Sequence, residues 1–231
     1  MNGIFFDSTN LVEFKKWFDS GIISGVTTNP VILQKEGVFN IPEHIKKMIE
    51  ICGERFPISI EIPDSEMSKD EMVKLAKEYV KLFPTNAVIK VPMDPRNSQK
   101  AFEAIKELNN NKIHTNATLG ITSGQLIGAM IAGATYVSLF WGRCEEAGGI
   151  GAEATLKTVI EFRKTHCLSS RIIIGSLRSV EQIDKAISLG ADIVTIKPEL
   201  LEKWMFTQRG VETANEFNKA YRDIKDKVTL I

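Results

Sequence analysis

Lys90 stands in "NAVIKVPM", residues 86–93, where nearly every neighbour is apolar enough to belong to a buried strand. Desolvation disfavours an ammonium by up to about 3 to 5 pKa units, so a lysine kept from water tends to lose its proton. The free amine is nucleophilic near neutral pH and can attack a carbonyl to form a Schiff base. The competing reading is structural: Lys90 closes a buried ion pair with Asp7 or Glu61. Beside an amine nucleophile those carboxylates can carry protons during carbinolamine formation, dehydration and carbon–carbon cleavage. Taken singly, each also reads as a polar strand end that faces solvent or caps a helix.

Two arginines extend the set. Arg143 lies in "SLFWGR" and Arg178 in "GSLRS", the latter beside Ser176 and the start of a helix. A guanidinium grips phosphate with two parallel hydrogen bonds, and a helix N-terminus offers free N–H groups to an anion. A phosphorylated substrate fits both; so does a surface arginine paired with Glu145, Glu146 or Glu181. The "GGIG" of residues 148–151 is neither GxGxxG nor a P-loop, and reads as a loop leading into a helix.

These residues need elements to hold them. Eight short apolar runs recur along the chain: "GIFF", "GVT", "PISIEI", "AVIKV", "KIHTNAT", "TYVSLF", "RIIIG" and "DIVTI". The segments between them show helical spacing, as in "EMVKLAKEYVKLF" with Met72, Leu75, Ala76, Tyr79, Val80 and Phe83. Repeated βα units give parallel strands. The fold class is α/β, a single (β/α)8 TIM barrel over residues 1–231 with an extra C-terminal helix at 211–227, for a lid or an oligomer contact. The competing architecture is an open, doubly wound sheet. In a βα barrel, reactive groups gather at the C-terminal ends of the strands. The predicted strands bring Asp7, Thr28, Asn29, Glu61, Lys90, Asn116, Thr118, Ser138 and Ser176 to that face. Side chains alternate along a strand, so Ser59 and Glu61 share a side, as do Val88 and Lys90, and Tyr136, Ser138 and Phe140. The apolar parity of Ile60, Ile62, Ile89, Val91, Val137 and Leu139 suits packing against helices, which directs Lys90 into the barrel.

Composition narrows the classes. Hydrophobic residues make 43% of 231, charged residues 25%, and 29 Lys+Arg balance 29 Asp+Glu, the profile of a soluble globular chain with no basic surplus for nucleic acid. The run "LIGAMIAGATYVSLFWG" is broken by glycines and falls short of the roughly 20 apolar residues of a spanning helix. No secretory signal opens the sequence, so a cytoplasmic location without membrane attachment is expected. Cys52, Cys144 and Cys167 are scattered, which suggests neither disulfides nor a metal site.

"GVTTNP", "VIKVP", "NATL" and "YVSLFWGR", in this order and spacing, resemble the transaldolases and the related fructose-6-phosphate aldolases. The resemblance runs from "FFDST" to "IKPELL". It implies a (β/α)8 barrel with Lys90 as the Schiff-base lysine, Asp7 as the proton-transfer aspartate, and Glu61 with Thr118 holding a catalytic water. It implies substrate contacts from Asn29, Asn116 and Ser138, with Arg143, Ser176 and Arg178 as sugar-phosphate ligands; Thr28 and Phe140 are expected to line the same site. Glu61 and Phe140 side with the transaldolases, since the aldolases carry glutamine and tyrosine there. The resemblance further implies no metal or organic cofactor, and a homo-oligomer, decamer or pentamer, built with the C-terminal helix. The expected reaction moves a dihydroxyacetone unit from fructose 6-phosphate or sedoheptulose 7-phosphate to an aldose phosphate. Rivals are an aldolase releasing free dihydroxyacetone, a non-catalytic sugar-phosphate sensor and an isomerase working by enolisation. Leu139 and Trp141 depart from the family's pattern, and a bulky Trp141 beside the sugar-phosphate arm is expected to narrow or reshape the acceptor site. Cys144 reads as an unreactive thiol.

Overall fold

The computed structural model describes residues 3–229. Its chain runs β1 (Gly3–Phe6), α1 (Leu11–Asp19), β2 (Ile23–Thr27), α2 (Pro30–Lys35), α3 (Ile41–Cys52), β3 (Ile58–Glu61), α4 (Lys69–Leu82), β4 (Ala87–Pro92) and α5 (Ser98–Asn110). It continues with β5 (Thr115–Gly120), α6 (Ser123–Ile131), β6 (Tyr136–Phe140), α7 (Trp141–Ala147), α8 (Gly151–Thr165), β7 (Arg171–Gly175), α9 (Val180–Ser188), β8 (Ile193–Ile196), α10 (Pro198–Met205) and α11 (Gln208–Ile224). Every strand pair is parallel, and β1 pairs with β8 as well as β2, so the sheet closes into a barrel. That closure removes the open-sheet alternative.

Local chemistry sets the cuts between elements. Asn10 caps α1 by accepting from the N–H groups of Val12 and Glu13, and Ser68 with Glu71 forms a reciprocal capping box at α4. Such caps satisfy helix-end donors that have no intrahelical partner. After α6 and α9 the chain turns at Gly133 and Gly190, both with φ of 94°, a conformation that favours glycine. The last helix begins three residues before the expected 211 because Thr207 caps it, and residues 225–227 form a 3-10 turn.

Two apolar layers follow from strand alternation. The outward residues, among them Ile60, Ile89, Val91, Val137, Leu139 and Ile174, pack against helix residues such as Met72, Ala76, Ile105 and Leu156. Each such Ile or Leu contributes roughly 1.5–3 kcal/mol by burial. Inside the barrel, Phe5, Ile173 and Ile193 are buried together with Tyr136 against them. This inner plug lies toward the N-terminal ends of the strands, one inward position before Asp7 on β1, Ser138 on β6 and Thr195 on β8. Gly25 on β2 makes room for it, since a Cβ there would stand 2.4 Å from the Phe5 ring. The polar layer thus sits on an apolar floor. No residue of α11 is buried against the barrel, and its Phe217 and Tyr221 are exposed.

Candidate active site

Above the floor, toward the C-terminal ends of the strands, the polar layer begins. Lys90 on β4 is 3% exposed and points inward. Its Nζ stands 2.7 Å from Glu61 Oε2 and donates to the Thr28 carbonyl at 2.8 Å. Strand register causes the first contact, because Glu61 of β3 lies directly opposite Lys90 of β4. The ion pair foreseen as the structural alternative is therefore present, with Glu61 as the partner. Such a pair gains little net stability after desolvation, while removing one member leaves a buried charge at a cost of about 3–5 kcal/mol. The ring of Phe140 faces the same ammonium, its centroid 6.0 Å from Nζ.

Asp7 follows β1 and is partly buried. Burial pushes its carboxyl above the ordinary value, against the opposing effects of the Lys90 charge, a hydrogen bond from Thr27 and the Lys197 charge. Thr27 donates to Asp7 Oδ1 at 2.7 Å and shares a 2.6 Å contact with Thr195. One hydroxyl has one proton, so while Asp7 is ionised Thr195 must be the donor to Thr27. On the facing strands, Ser138 donates to Asn116 Oδ1 at 2.7 Å, and Asn116 Nδ2 donates to Ser59 Oγ at 3.2 Å. This chain locks the Asn116 amide in one orientation. The Thr118 hydroxyl is buried on β5 and bonds to no group among the described residues.

Thr28 and Asn29 hold the frame. The Thr28 hydroxyl donates to the Ser59 carbonyl at 2.9 Å, tying β2 to β3, and its own carbonyl anchors Lys90. Asn29 Oδ1 caps α2 by accepting from Ile32 N–H at 2.9 Å, which leaves its amide nitrogen for other contacts.

The two arginines come from adjoining backbone. Gly142 N–H donates to the Ser176 carbonyl at 3.0 Å. A Cβ on Gly142 would stand 2.5 Å from Arg178 Nε, so the Arg178 side chain lies directly over this glycine. Arg143 is the next residue, exposed in the first turn of α7, and forms no ion pair among the described residues. Arg178 pairs with Glu146 at 2.6 Å, as its surface alternative anticipated. Ser176 has φ of 56°, a left-handed conformation uncommon for serine and often found where a site over-determines its backbone.

One expectation is corrected. Trp141 is 5% exposed within the outer core, so it does not narrow the mouth. Phe140 takes the inward position and its successor must face the helices. Leu139 is buried in the same outer core. Cys144 is buried with its Sγ 3.7 Å from the Thr155 hydroxyl, a packed position. Two further residues act on Asp7 that the sequence does not single out: Thr27, through its hydrogen bond, and Lys197, through its charge. Thr27 is legible from the alternation with Gly25, whereas Lys197 lies just beyond the end of β8.

Among the described residues, no cluster of three or more His, Cys, Asp or Glu could hold a metal. No helix there is long and apolar enough to cross a membrane.

A closed parallel barrel with a buried lysine–glutamate pair at its strand-end mouth has the layout of an α/β-barrel enzyme. The profile of the family described as Transaldolase/Fructose-6-phosphate aldolase matches residues 4–229, and the chain belongs to that family. A probable transaldolase of Clostridium kluyveri is 36% identical over 227 residues, covering 97% of this chain and 99% of its own length. Those of Brachyspira hyodysenteriae and Petrotoga mobilis are each 35% identical, covering 96% and 95% of this chain and 99% and 96% of their own lengths.

Proposed function

We propose that the protein is a transaldolase that moves a dihydroxyacetone unit from a ketose phosphate, fructose 6-phosphate or sedoheptulose 7-phosphate, to an aldose phosphate through an imine on Lys90. The observation that carries the reading is the Lys90 amine, buried inside the barrel with the Glu61 carboxylate 2.7 Å away and Asp7 at the end of β1. Glu61 takes a proton from the Lys90 ammonium, and the freed amine attacks the C2 carbonyl. The carbinolamine oxygen leaves as water, with Glu61 returning a proton through a water shared with the Thr118 hydroxyl. Asp7 accepts the C4 hydroxyl proton as the C3–C4 bond breaks, and the electron pair of that bond passes into the protonated imine. The aldose phosphate departs, leaving a three-carbon enamine that attacks a second aldose phosphate. Asn29, Asn116 and Ser138 hold the fragment's hydroxyls, while Arg143, Ser176 and Arg178 hold the phosphate arm. The imine is the electron sink, so no cofactor is required by this route.

Glu61 and Phe140 support transfer over release of free dihydroxyacetone, because the resemblance associates this pair with the transaldolases. Phe217, Tyr221 and Ile224 lie four and three residues apart on α11, an exposed apolar face suited to the expected homo-oligomer.

Reduction with borohydride in the presence of fructose 6-phosphate tests the imine. A reduced three-carbon adduct on Lys90 is expected by intact mass and peptide mapping; its absence would sink the Schiff-base reading. Glu61→Gln is expected to slow transfer about 10²-fold or more, the usual worth of a positioned acid–base group, and unchanged kinetics would remove the role given to Glu61.

A further inference from the structure

Lys197 is the charged group of the mouth to which the chemistry above gives no task. It follows β8 directly and precedes Pro198, and a residue before proline is driven to extended backbone. Its φ of −68° and ψ of 150° are extended. The alternation of β8 therefore continues by one residue. Ile193 and Thr195 face the interior, where Thr195 meets Thr27, and Lys197 falls on the same side at the rim. β1 lies alongside, with Phe6 opposite Ile196 and the Asp7 N–H donating to the Ile196 carbonyl at 2.9 Å. Asp7 and Lys197 are thus the next pair on the two strands. Lys197 is exposed, and its ammonium makes no hydrogen bond or ion pair among the described residues.

The other groups that act on Asp7 are accounted for. Lys90 acts on it from β4 more strongly than Lys197 does, but Glu61 of β3 stands 2.7 Å from that ammonium and matches its charge. From β2 and β8 come the neutral hydroxyls of Thr27 and Thr195. Among the described residues, Lys197 is the one of the two lysines without a carboxylate partner.

We propose that Lys197 is a positioning residue for the reaction: its ammonium at the rim, unpaired among the described residues, helps to keep the adjacent Asp7 in the ionised form that accepts the substrate's hydroxyl proton. This rests on Asp7 serving as the proton acceptor. Burial favours the neutral carboxyl of Asp7, and the Lys197 charge opposes it. Proton acceptance needs the carboxylate, so the rate falls on the acid side as Asp7 protonates. Loss of the Lys197 charge makes Asp7 bind its proton more tightly, which moves that limb to higher pH.

The test compares the pH dependence of kcat/KM for transfer from fructose 6-phosphate in the wild type, Lys197→Gln and Lys197→Arg. The Lys197 side chain makes no capping bond to α10, so the Gln substitution leaves the helix start intact. The acid limb of Lys197→Gln is expected to move up by about half a pH unit, the scale of an exposed charge pair. Lys197→Arg restores the wild-type limb. The displacement collapses near 1 M salt, where the screening length is about 3 Å. A Gln profile that superimposes on the wild type, or an Arg profile displaced like that of Gln, overturns the role. Borohydride trapping on the wild type separates the two levels. An adduct on Lys90 with superimposed profiles removes only Lys197's role, whereas no adduct removes the reaction on which it depends.

Discussion

Asp7 sets usefulness against stability within one side chain. Its carboxyl holds a proton more tightly in the folded barrel than the ordinary value of 3.8, because burial disfavours the charge. The folded state therefore binds more protons than the unfolded chain in the window above that value. Stability from this group is complete below 3.8 and is lost as pH rises through the folded value. Asp7→Asn is expected to melt at a higher temperature than the wild type at neutral pH, and the two melting curves should converge as pH falls below 3.8. The Asn oxygen can still accept from Thr27, so no hydrogen bond need be lost. The same variant should lose cleavage. Thermal melts across pH check the first expectation, and a variant no more stable than the wild type at pH 7 would contradict the burial cost assigned to Asp7.

The first turn of α7 and the loop after β7 act as one unit because Gly142 lets the Arg178 side chain cross its backbone. Gly142→Ala would place a methyl group 2.5 Å from Arg178 Nε and 2.7 Å from the Ser176 carbonyl. The guanidinium can move, but the backbone carbonyl cannot do so cheaply, so the phosphate arm should be displaced. KM for phosphorylated ketoses is expected to rise about 10-fold or more, the loss of one charge-assisted hydrogen bond, while borohydride trapping of unphosphorylated dihydroxyacetone on Lys90 continues. Equal loss of both would place the damage in the barrel and not in the arm. At this scale the sequence was informative where alternation runs uninterrupted. Two-residue periodicity located Lys90 and Glu61 on the inner face, and their contact followed from register. It was silent where a strand passes straight into a helix. Trp141 opens α7 directly after Phe140, so its outward direction depends on a junction with no punctuation. Lys197 is hidden for a related reason, since the run "DIVTI" ends one residue before it.

Closure could not be read from eight apolar runs, because it depends on β1 meeting β8, a pairing of residues such as Phe6 and Ile196 that are far apart in sequence. For Arg178 the sequence offers Glu145, Glu146 and Glu181 as partners, and the choice of Glu146 depends on how α7 sits against the loop after β7. What the whole barrel adds is a floor. Phe5, Tyr136, Ile173 and Ile193 fill the interior toward the N-terminal ends of the strands, and the Arg171 guanidinium sits 5.6 Å from the Tyr136 ring centroid. A tunnel would let a departing aldose leave by one end while its successor entered by the other. With the floor in place, among the described residues, the polar layer is reached past the C-terminal ends of the strands, and traffic there must alternate. Under the proposed transfer, initial rates measured against donor at several acceptor concentrations should give parallel double-reciprocal lines, the ping-pong pattern. High acceptor concentrations should then inhibit competitively against the donor, since both queue for the same vestibule. Intersecting lines would mean that two sugars occupy the barrel at once, for which a dead-ended chamber has no second way in.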